Sequence, residues 1–379
     1  MFRNPFDDAE LAARLARLRQ RIGERQLDAG VISAPENVFY LTGLDHWGYF
    51  APHLLVVPAE SEPVLVTRAM ERMTIERQVR NATFRGHADT ESAADIAARV
   101  LAEARPKRIG IESGAMSHGT ATVLTGAVGA EWRDITGLVD ELRLVKSPAE
   151  QALMRAAAEV STAAAGAAID AIGDGAPERE VAAACLAAMT RAGGEPPGFG
   201  PFIRPGSRLG EEHTTWGAGR LRRGEPAFLE LSGCVARYHA PLGRLAHVGA
   251  IRDDDAAMAA TANRAFDAVL AALRPGATAG AVYRAWQEVV DEAGLAHFRR
   301  HHCGYAVGIG CPPSWTGGNR VTGLRPDGDL VIETGMSFHV LSWLMGTGRG
   351  DFFLSDTVLV TLSGAAVLGR LPRGPFVRQ

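Results

Sequence analysis

The sequence has few cysteines and no long apolar run, and these two features argue against a cysteine-based metal site and against a membrane-spanning segment. Its four cysteines (Cys185, Cys234, Cys303 and Cys311) form no CxxC pair, which argues against a cysteine-based zinc site and favours free thiols. Apolar runs such as Leu54–Val57 are far too short to span a bilayer. The N-terminal stretch lacks the apolar core of a signal peptide, so we expect a cytoplasmic protein without a membrane partner.

The net charge is also small. The 379 residues carry a formal net charge of −3, and the scattered Lys and Arg residues argue against a nucleic-acid-binding surface. Hydrophobic residues make up 46% and charged residues 22% of the chain, as in an ordinary globular protein. The length predicts two domains.

Alternating short strands and helices indicate a small α/β domain over residues 1–143. The predicted strands lie at 29–33, 38–43, 54–57, 64–66 and 108–112, and the predicted helices at 70–79 and 93–104. Ser147, Pro148 and Glu150 then form the pattern of a capping box with proline at the first helical position. A long helix is therefore expected from Pro148 to about Ile172, inside a second domain over residues 144–379.

The second domain nearly repeats itself. Three landmarks recur at one spacing of 101 residues, namely Gly175 and Gly276, Val181 and Val282, and Gly193 and Gly294. Each copy reads as a helix, a glycine turn, a second helix, a glycine and then extended chain. The duplication predicts a pseudo-symmetric α+β domain with one large sheet backed by helices.

A hairpin with ionisable residues follows the first helix pair. Ala227–Leu231 predicts a strand that contains Glu230, Ser232-Gly233 predicts a turn, and Tyr238–Leu242 predicts the returning strand. An acid on a strand near a Tyr-His pair can place ionisable groups on a concave sheet face. The alternative is an ordinary hairpin with a polar rim.

The two-domain plan, the Leu144–Glu150 entry and the duplicated halves resemble the pita-bread superfamily, which includes aminopeptidase P, prolidase, methionine aminopeptidase and creatinase. The resemblance covers nearly the whole chain. It implies a creatinase-like N-terminal α/β domain and a C-terminal pita-bread domain, whose pseudo-twofold halves surround a curved antiparallel sheet.

Metal-dependent members of that superfamily hold two ions with two Asp, one His and two Glu. The matching positions here are Glu230, Pro241, Tyr305, Leu341 and either Ser355 or Asp356. Proline, leucine and tyrosine are poor substitutes in a site that needs carboxylate and imidazole donors. The resemblance therefore implies a protein without metal or other cofactor.

Several stretches are similar to the metal-free branch, which includes ectoine hydrolase and creatinase. They are His213–Trp216, Glu230–Cys234, Arg237–Leu242, Cys303–Gly308 and Pro312–Trp315. Creatinase shares the position of His213, its catalytic histidine. The Glu with which creatinase grips a guanidinium falls on Gly243, and Leu245 also departs from the pattern, which counts against creatine as the substrate.

The resemblance also implies a homodimer in which the small domain caps the partner's site. The aromatic loop Asp45–Phe50, with Trp47 as a substrate-binding candidate, is suited to that role. The alternative for such a loop is ordinary core packing.

Three residues are the catalytic candidates. His213 is the natural proton carrier, because histidine as a residue type can both accept and donate a proton near neutral pH, unless it is a solvated loop histidine. Glu230 lies in an apolar strand, so burial should raise its pKa unless a cation such as Arg244 pairs with it. It could orient His213, hold a cationic substrate or attack as a nucleophile. Tyr305 offers a hydroxyl for an oxyanion, unless it is a buried tyrosine bonded to backbone.

The remaining candidates would bind substrate. They are Tyr238, His239, His339, Trp216, Asp356 and Arg244, and Trp315 and Trp343 could complete an apolar box around a small ring. Each has a structural alternative, because buried tyrosines, strand histidines and single tryptophans commonly belong to a core.

We therefore predict a metal-independent hydrolase that cleaves a C–N bond in a small charged nitrogen compound, such as the cyclic amidine ectoine or a relative. In this hypothesis His213 moves a proton, while Glu230 and a tyrosine stabilise the tetrahedral intermediate. Three alternatives stay open: a lyase or other non-hydrolytic enzyme acting on an amino-acid derivative, a catalytically silent binding protein, and a metal-dependent Xaa-Pro peptidase.

Overall fold

The computed structural model describes residues 4–317 and 321–379, which form two compact units divided between Arg143 and Leu144. The helices are α1 (Asp8–Glu24), α2 (Pro35–Thr42), α3 (Arg72–Gln78), α4 (Ala93–Ala104), α5 (His118–Ala127), α6 (Leu138–Leu144), α7 (Pro148–Asp170), α8 (Glu178–Arg191), α9 (Asp253–Ala272) and α10 (Ala279–Glu292). No helix in these two ranges has both the length and the apolar character needed to cross a bilayer.

The strands of the first unit are β1 (Ala29–Ile32), β2 (Leu54–Pro58), β3 (Val64–Arg68), β4 (Thr83–His87), β5 (Arg108–Ile111) and β6 (Glu131–Asp134). They form one mixed sheet in the order β4-β3-β2-β1-β5-β6. Apolar side chains of β1, β2, β3 and β5 pack with those of α4 and α5 into a common core. The predicted α/β class of this unit is confirmed.

One predicted strand of the first unit is a helix. Residues 38–43 fall in α2 and its C-cap, and seven of the eight residues of α2 are buried. A short helix that is buried on every side shows no apolar periodicity, so the run could not be told from a strand. Pro35 at the start of the helix and Gly43 at its end, with φ +73°, are the signals that mark it.

The strands of the second unit are β7 (Phe202–Pro205), β8 (Pro226–Val235), β9 (Tyr238–Val248), β10 (Gly304–Ala306), β11 (Ser337–Leu344), β12 (Phe352–Thr361), β13 (Gly364–Val367) and β14 (Phe376–Arg378). The main path runs β10-β11-β12-β9-β8-β7, with β13 on β12 and β14 parallel to β9. All neighbours along the main path are antiparallel.

The duplication is visible in the structure. Helices α8 and α10 begin and end at the spacing read from the sequence. The four landmark glycines (Gly175, Gly193, Gly276 and Gly294) all adopt positive φ between +75° and +87°. Two helix pairs therefore back one antiparallel sheet, and the predicted pita-bread architecture is confirmed.

Helix α7 begins with the predicted capping box. The Ser147 hydroxyl accepts from the backbone N–H of Glu150, and the Glu150 carboxylate accepts from that of Ser147. The helix then packs closely against β8 at Gly233, where an added Cβ would lie 2.3 Å from the carbonyl oxygen of Ala157. A side chain at this position would push the helix away from the strand.

The predicted turn at Ser232-Gly233 is wrong, because both residues lie inside β8. The chain reverses at Ala236 and Arg237, which adopt φ +46° and +65°. Here the glycine marks a close approach of helix and strand, not a turn. The hairpin is consequently longer than expected, and it places Glu230 opposite Gly243.

Candidate active site

A cavity of about 320 Å³ lies in the second unit against β7, β8, β10 and β11. Its walls combine five aromatic side chains with a cluster of Arg, Glu and His residues. The lining residues are Phe199, Phe202, Arg204, Glu212, His213, Glu230, Arg300, His301, His302, Tyr305, Ser314, Trp315, Thr316, Val321, Leu341 and Trp343.

Glu230 projects from β8 into this cavity and is only 9% exposed. Burial raises its pKa to about 7, the negative charge of Glu212 pushes in the same direction, and the positive charge of Arg204 opposes them. A carboxyl group in this range exchanges its proton near neutral pH. Glu230 can therefore act both as a proton acceptor and as a proton donor.

Arg204 is the cation whose charge lowers the pKa of Glu230, and it is not among the residues predicted from the sequence. It lies on β7 opposite Phe228, two residues before Glu230 on the neighbouring strand, and its guanidinium carbon is 4.3 Å from the centroid of the Phe228 ring. The expected counter-ion of Glu230 was Arg244, which the structure pairs with Asp356 instead. A charge inside the short strand Phe202–Pro205 is the same signal that singled out Glu230.

His213 lies in the loop between β7 and β8, exposed to solvent while it also lines the cavity. Its ring meets Phe202 edge-on, with 6.2 Å between the centroids. Its φ of +58° is unfavourable for a residue with a side chain, and such backbone strain concentrates at functional sites. His213 thus lies between the cavity and solvent.

Tyr305 leads a chain of hydrogen bonds that runs from the cavity into the sheet. Its hydroxyl accepts from Trp315 Nε1 at 3.1 Å and shares a bond of 2.8 Å with His339 Nδ1. His339 Nε2 continues the chain to the Ser355 hydroxyl at 2.7 Å. Burial raises the pKa of Tyr305 and lowers the pKa of His339 to about 3, so both groups are neutral.

This chain explains what His339 does. The ring is fully buried and is not among the described residues that line the cavity. Both its nitrogens are used, one toward Tyr305 and the other toward Ser355. The His339 tautomer sets the role of Tyr305: with its proton on Nδ1, His339 donates to the Tyr305 oxygen and leaves the Tyr305 O–H free for a bound molecule, whereas with its proton on Nε2 it accepts from that O–H.

His302 is a second cavity residue that is not among those predicted from the sequence. Burial, with the nearby His301 and Arg300, lowers its pKa to about 3. Its Nδ1 is buried and has no hydrogen-bond partner within the described residues. A neutral imidazole with an unused nitrogen offers a bound molecule either a donor or an acceptor. A histidine that follows another histidine gave no such signal in the sequence.

Two of the predicted substrate-binding residues have internal partners. The Tyr238 hydroxyl donates to Glu150 at 2.8 Å. His239 accepts from the Gly198 N–H at 2.8 Å and bonds to the Arg237 carbonyl oxygen at 2.9 Å, and burial lowers its pKa to about 4. Neither side chain is among the described residues that line the cavity.

Arg244 and Asp356 form a buried ion pair at 3.0 Å, also away from the described cavity lining. Trp216 packs against the apolar cluster of α7, α8 and the central strands, whereas Trp315 and Trp343 do line the cavity. Trp47 belongs to the first unit, where it is 52% exposed and its ring stacks on Tyr49 at 6.4 Å. Its contact with a partner's site stays a prediction.

Metal-binding potential can be judged from the side chains present. Within residues 4–317 and 321–379, no group of three or more His, Cys, Asp or Glu side chains is arranged to hold a metal ion. The cavity instead combines one proton-exchanging carboxyl group, neutral imidazoles, a tyrosine hydroxyl and two arginines.

Comparison with known families decides the classification. The model of metallopeptidase family M24 matches residues 152–362, more than half of the chain. The chain belongs to metallopeptidase family M24. In this M24 protein, residues 14–145 also match the creatinase/prolidase N-terminal domain.

Curated relatives match the M24 protein along its whole length. An uncharacterized hydrolase/peptidase of Sinorhizobium fredii is 28% identical over 99% of both chains. The ectoine hydrolase of Halomonas elongata is 26% identical over 99% of this chain and 98% of the relative. The Xaa-Pro dipeptidase of Pyrococcus furiosus is 25% identical over 95% of this chain and 98% of the relative. Family membership and these relatives support hydrolase activity.

Solved structures agree on the fold. The Xaa-Pro dipeptidase from Bacillus anthracis superposes with a TM-score of 0.87 over 97% of this chain and 99% of that chain, at 19% identity. The dipeptidase PepE from Mycobacterium ulcerans superposes with a TM-score of 0.84 over 98% of this chain and 99% of that chain, at 24% identity. At these identities the likeness establishes the architecture alone.

Proposed function

We propose that this M24 protein hydrolyses a C–N bond in a small, charged nitrogen compound without a metal ion, and that ectoine or a related cyclic amidine is the substrate. One observation carries the proposal. Three of the positions that resemble the family's metal ligands, Glu230, Tyr305 and Leu341, all line the cavity and offer a single carboxylate.

The other two positions do not restore a metal site. Pro241 has no side-chain donor and pairs with Ser232 across the β8–β9 hairpin. Ser355 is engaged by His339. Hard divalent ions need several carboxylate, carbonyl or imidazole donors at one point, and the residues present do not fit a two-metal centre. The chemistry is accordingly assigned to the side chains themselves.

The substrate class is supported by similarity and by one local feature. The ectoine hydrolase of Halomonas elongata matches nearly the full chain. The position of the creatinase glutamate is Gly243, where an added Cβ would lie 2.2 Å from a ring carbon of Phe353. Phe353 thus occupies the space that a guanidinium-gripping carboxylate would need. Creatine is disfavoured, and a compact amidine ring is favoured.

The proposed reaction begins with water and the amidine carbon. His213, or Glu230 in its ionised form, takes one proton from water as its oxygen bonds to that carbon. The Tyr305 hydroxyl, neutral because burial raises its pKa, donates a hydrogen bond to the tetrahedral intermediate. The C–N bond then breaks as the proton passes to the departing nitrogen, and the ring opens to an amide and an amine.

Ectoine turnover by metal-analysed protein tests the proposal. Ring opening is followed by mass spectrometry in heavy-oxygen water, because hydrolysis puts the water oxygen into the product and an elimination does not. The proposal expects turnover without stoichiometric metal, undiminished by a chelator. His213→Ala should lower kcat by about 10²- to 10⁴-fold, while the exposed His118→Ala serves as the matched control.

Two results would contradict the proposal. The first is a folded, metal-free protein that leaves ectoine and related amidines intact. The second is cleavage of Xaa-Pro dipeptides that appears only on addition of a divalent metal, which would support the peptidase alternative. Turnover that survives in His213→Ala would retain the substrate and remove His213 from the mechanism.

A further inference from the structure

Arg204 is a buried cation with most of its bonding capacity unused. The residue is 1% exposed. In the described chain its guanidinium makes one hydrogen bond, from Nη1 to the carbonyl oxygen of Glu211. Its Nε is buried without a partner. A guanidinium has five N–H donors, and a buried donor without an acceptor destabilises a fold. The arrangement therefore calls for an acceptor that the described residues do not supply.

Other buried arginines of this protein show what is missing. Arg14, Arg143 and Arg244 are also buried, and each contacts a carboxylate, at 2.9, 3.1 and 3.0 Å respectively. Arg204 makes no such direct ion pair among the described residues, although the charges of Glu230, Glu212 and Glu211 act on it from farther away. Leaving a buried charge unpaired is expensive, so such a charge is expected to meet its counter-ion in a ligand.

The position of Arg204 points to the kind of ligand. Arg204 and Glu230 both line the cavity and occupy diagonal positions on the paired strands β7 and β8. Diagonal neighbours on a sheet lie about 7–8 Å apart. The face of the guanidinium rests on Phe228, which fixes the plane of its fork of donors.

We infer that Arg204 binds a carboxylate group of the substrate, and that the substrate is a small zwitterion whose cationic nitrogen lies near Glu230. This inference rests on the proposed function and adds to it the group that is recognised. A planar carboxylate matches the guanidinium fork through two parallel hydrogen bonds. A doubly charged phosphate is disfavoured, because Glu212 and Glu230 line the same cavity.

The second arginine of the cavity is already engaged. Arg300 approaches Glu212 at 3.7 Å, and its guanidinium carbon is 4.9 Å from the centroid of the Trp343 ring. An ion pair and a stacked ring hold it in place, so Arg204 is the better candidate for the carboxylate.

The test compares two substrates that differ in one group: ectoine, and the same cyclic amidine ring without its carboxylate. Arg204→Gln should lower kcat/KM for ectoine about 100-fold or more, as expected when a charged hydrogen-bonding partner is removed. Turnover of the carboxylate-free ring should stay within about threefold. Arg204→Lys should fall between, because it keeps the charge and loses the fork. The exposed Arg264→Gln is the matched control.

Equal losses on the two substrates would overturn the inference, as would a selective loss of ectoine turnover in Arg300→Gln in place of Arg204→Gln. Circular dichroism checks that each variant is folded, and Arg204→Lys carries the comparison if the glutamine variant is not.

If the wild-type protein opens neither ring, the proposed function fails and the carboxylate site is judged by binding. Potassium acetate should then raise the melting temperature of the wild type more than potassium chloride at equal ionic strength, and this excess should be smaller in Arg204→Lys and smallest in Arg204→Gln. Equal responses of the wild type to the two salts would refute the carboxylate site.

Discussion

Replacing Glu230 with glutamine should remove a large pH dependence from the stability of the second unit. Burial raises the pKa of this carboxyl group from 4.5 to about 7. A group with a raised pKa stabilises the fold fully at a pH below its unfolded value, and that contribution is lost as the pH rises through the folded value. The gap of about two and a half pH units, at about 1.4 kcal/mol each, amounts to about 3–4 kcal/mol in total.

Urea unfolding of the wild type and Glu230→Gln, measured at a series of pH values between about 4.5 and 8, provides the assay. The free energy of unfolding of the variant minus that of the wild type should increase by about 3 kcal/mol across this range. Buried histidines such as His239 and His339 titrate in both proteins, so they largely cancel from the difference. Tryptophan fluorescence reports mainly on the second unit, which contains Trp216, Trp286, Trp315 and Trp343.

The exposed Glu288→Gln on α10 is the matched control and should give a difference that does not vary with pH. A flat difference for Glu230→Gln as well would mean that Glu230 titrates like an exposed carboxyl group. The argument that burial makes it a proton carrier at neutral pH would then be refuted.

Three further substitutions test other parts of the structure. Gly233→Ala should lower the free energy of unfolding by about 1–3 kcal/mol, because the added Cβ would collide with α7. Gly166→Ala, in open space on α7, should raise the free energy of unfolding by about 0.5–1 kcal/mol. Urea titration compares the two variants, and an unchanged stability of Gly233→Ala would contradict the close contact. Asp356→Asn should lower the free energy of unfolding by about 3–5 kcal/mol, measured by thermal unfolding, because it leaves the buried Arg244 without its ion-pair partner. A raised KM at unchanged stability would instead make Asp356 a substrate contact. Tyr305→Phe should lower kcat about 10²- to 10³-fold with little change in KM, and a loss below tenfold in steady-state kinetics would exclude an oxyanion role.

Local rules in the sequence were sufficient for the framework of the second unit. Ser147, Pro148 and Glu150 determine the start of α7 through contacts within one turn of chain. The duplicated glycines mark positions of positive φ, and Gly193 and Gly294, which directly follow the C-caps of α8 and α10, could be matched without any knowledge of packing. Glu230 could also be predicted, because a carboxylate inside an apolar run of residues is visible in the sequence alone.

The failures concern contacts between distant parts of the chain. Gly233 reads as a turn until the backbone of α7 is seen beside it. Tyr238 looked like a site residue because its bond to Glu150, 88 residues away, cannot be read from the sequence. Arg204 and His302 gain their importance from burial and from one nitrogen each, Nε and Nδ1, that has no partner among the described residues, and a sequence does not display either property.

In the sheet of the second unit, a short pairing of β9 with β12 joins the first half (β7–β9) to the second half (β10–β12). This connection has a consequence for the rate of folding. Strands β9 and β12 pair at Arg244–Leu354 and Gly243–Ser355, and the ion pair that spans the same connection joins Arg244 to Asp356, 112 residues further along the chain. Hairpins and helix pairs within each half close over short loops, whereas this connection requires a distant encounter, which is slow. The cavity takes residues from both halves, so it is complete only after they meet. On refolding, helical circular dichroism should therefore return before the protein can act on its substrate.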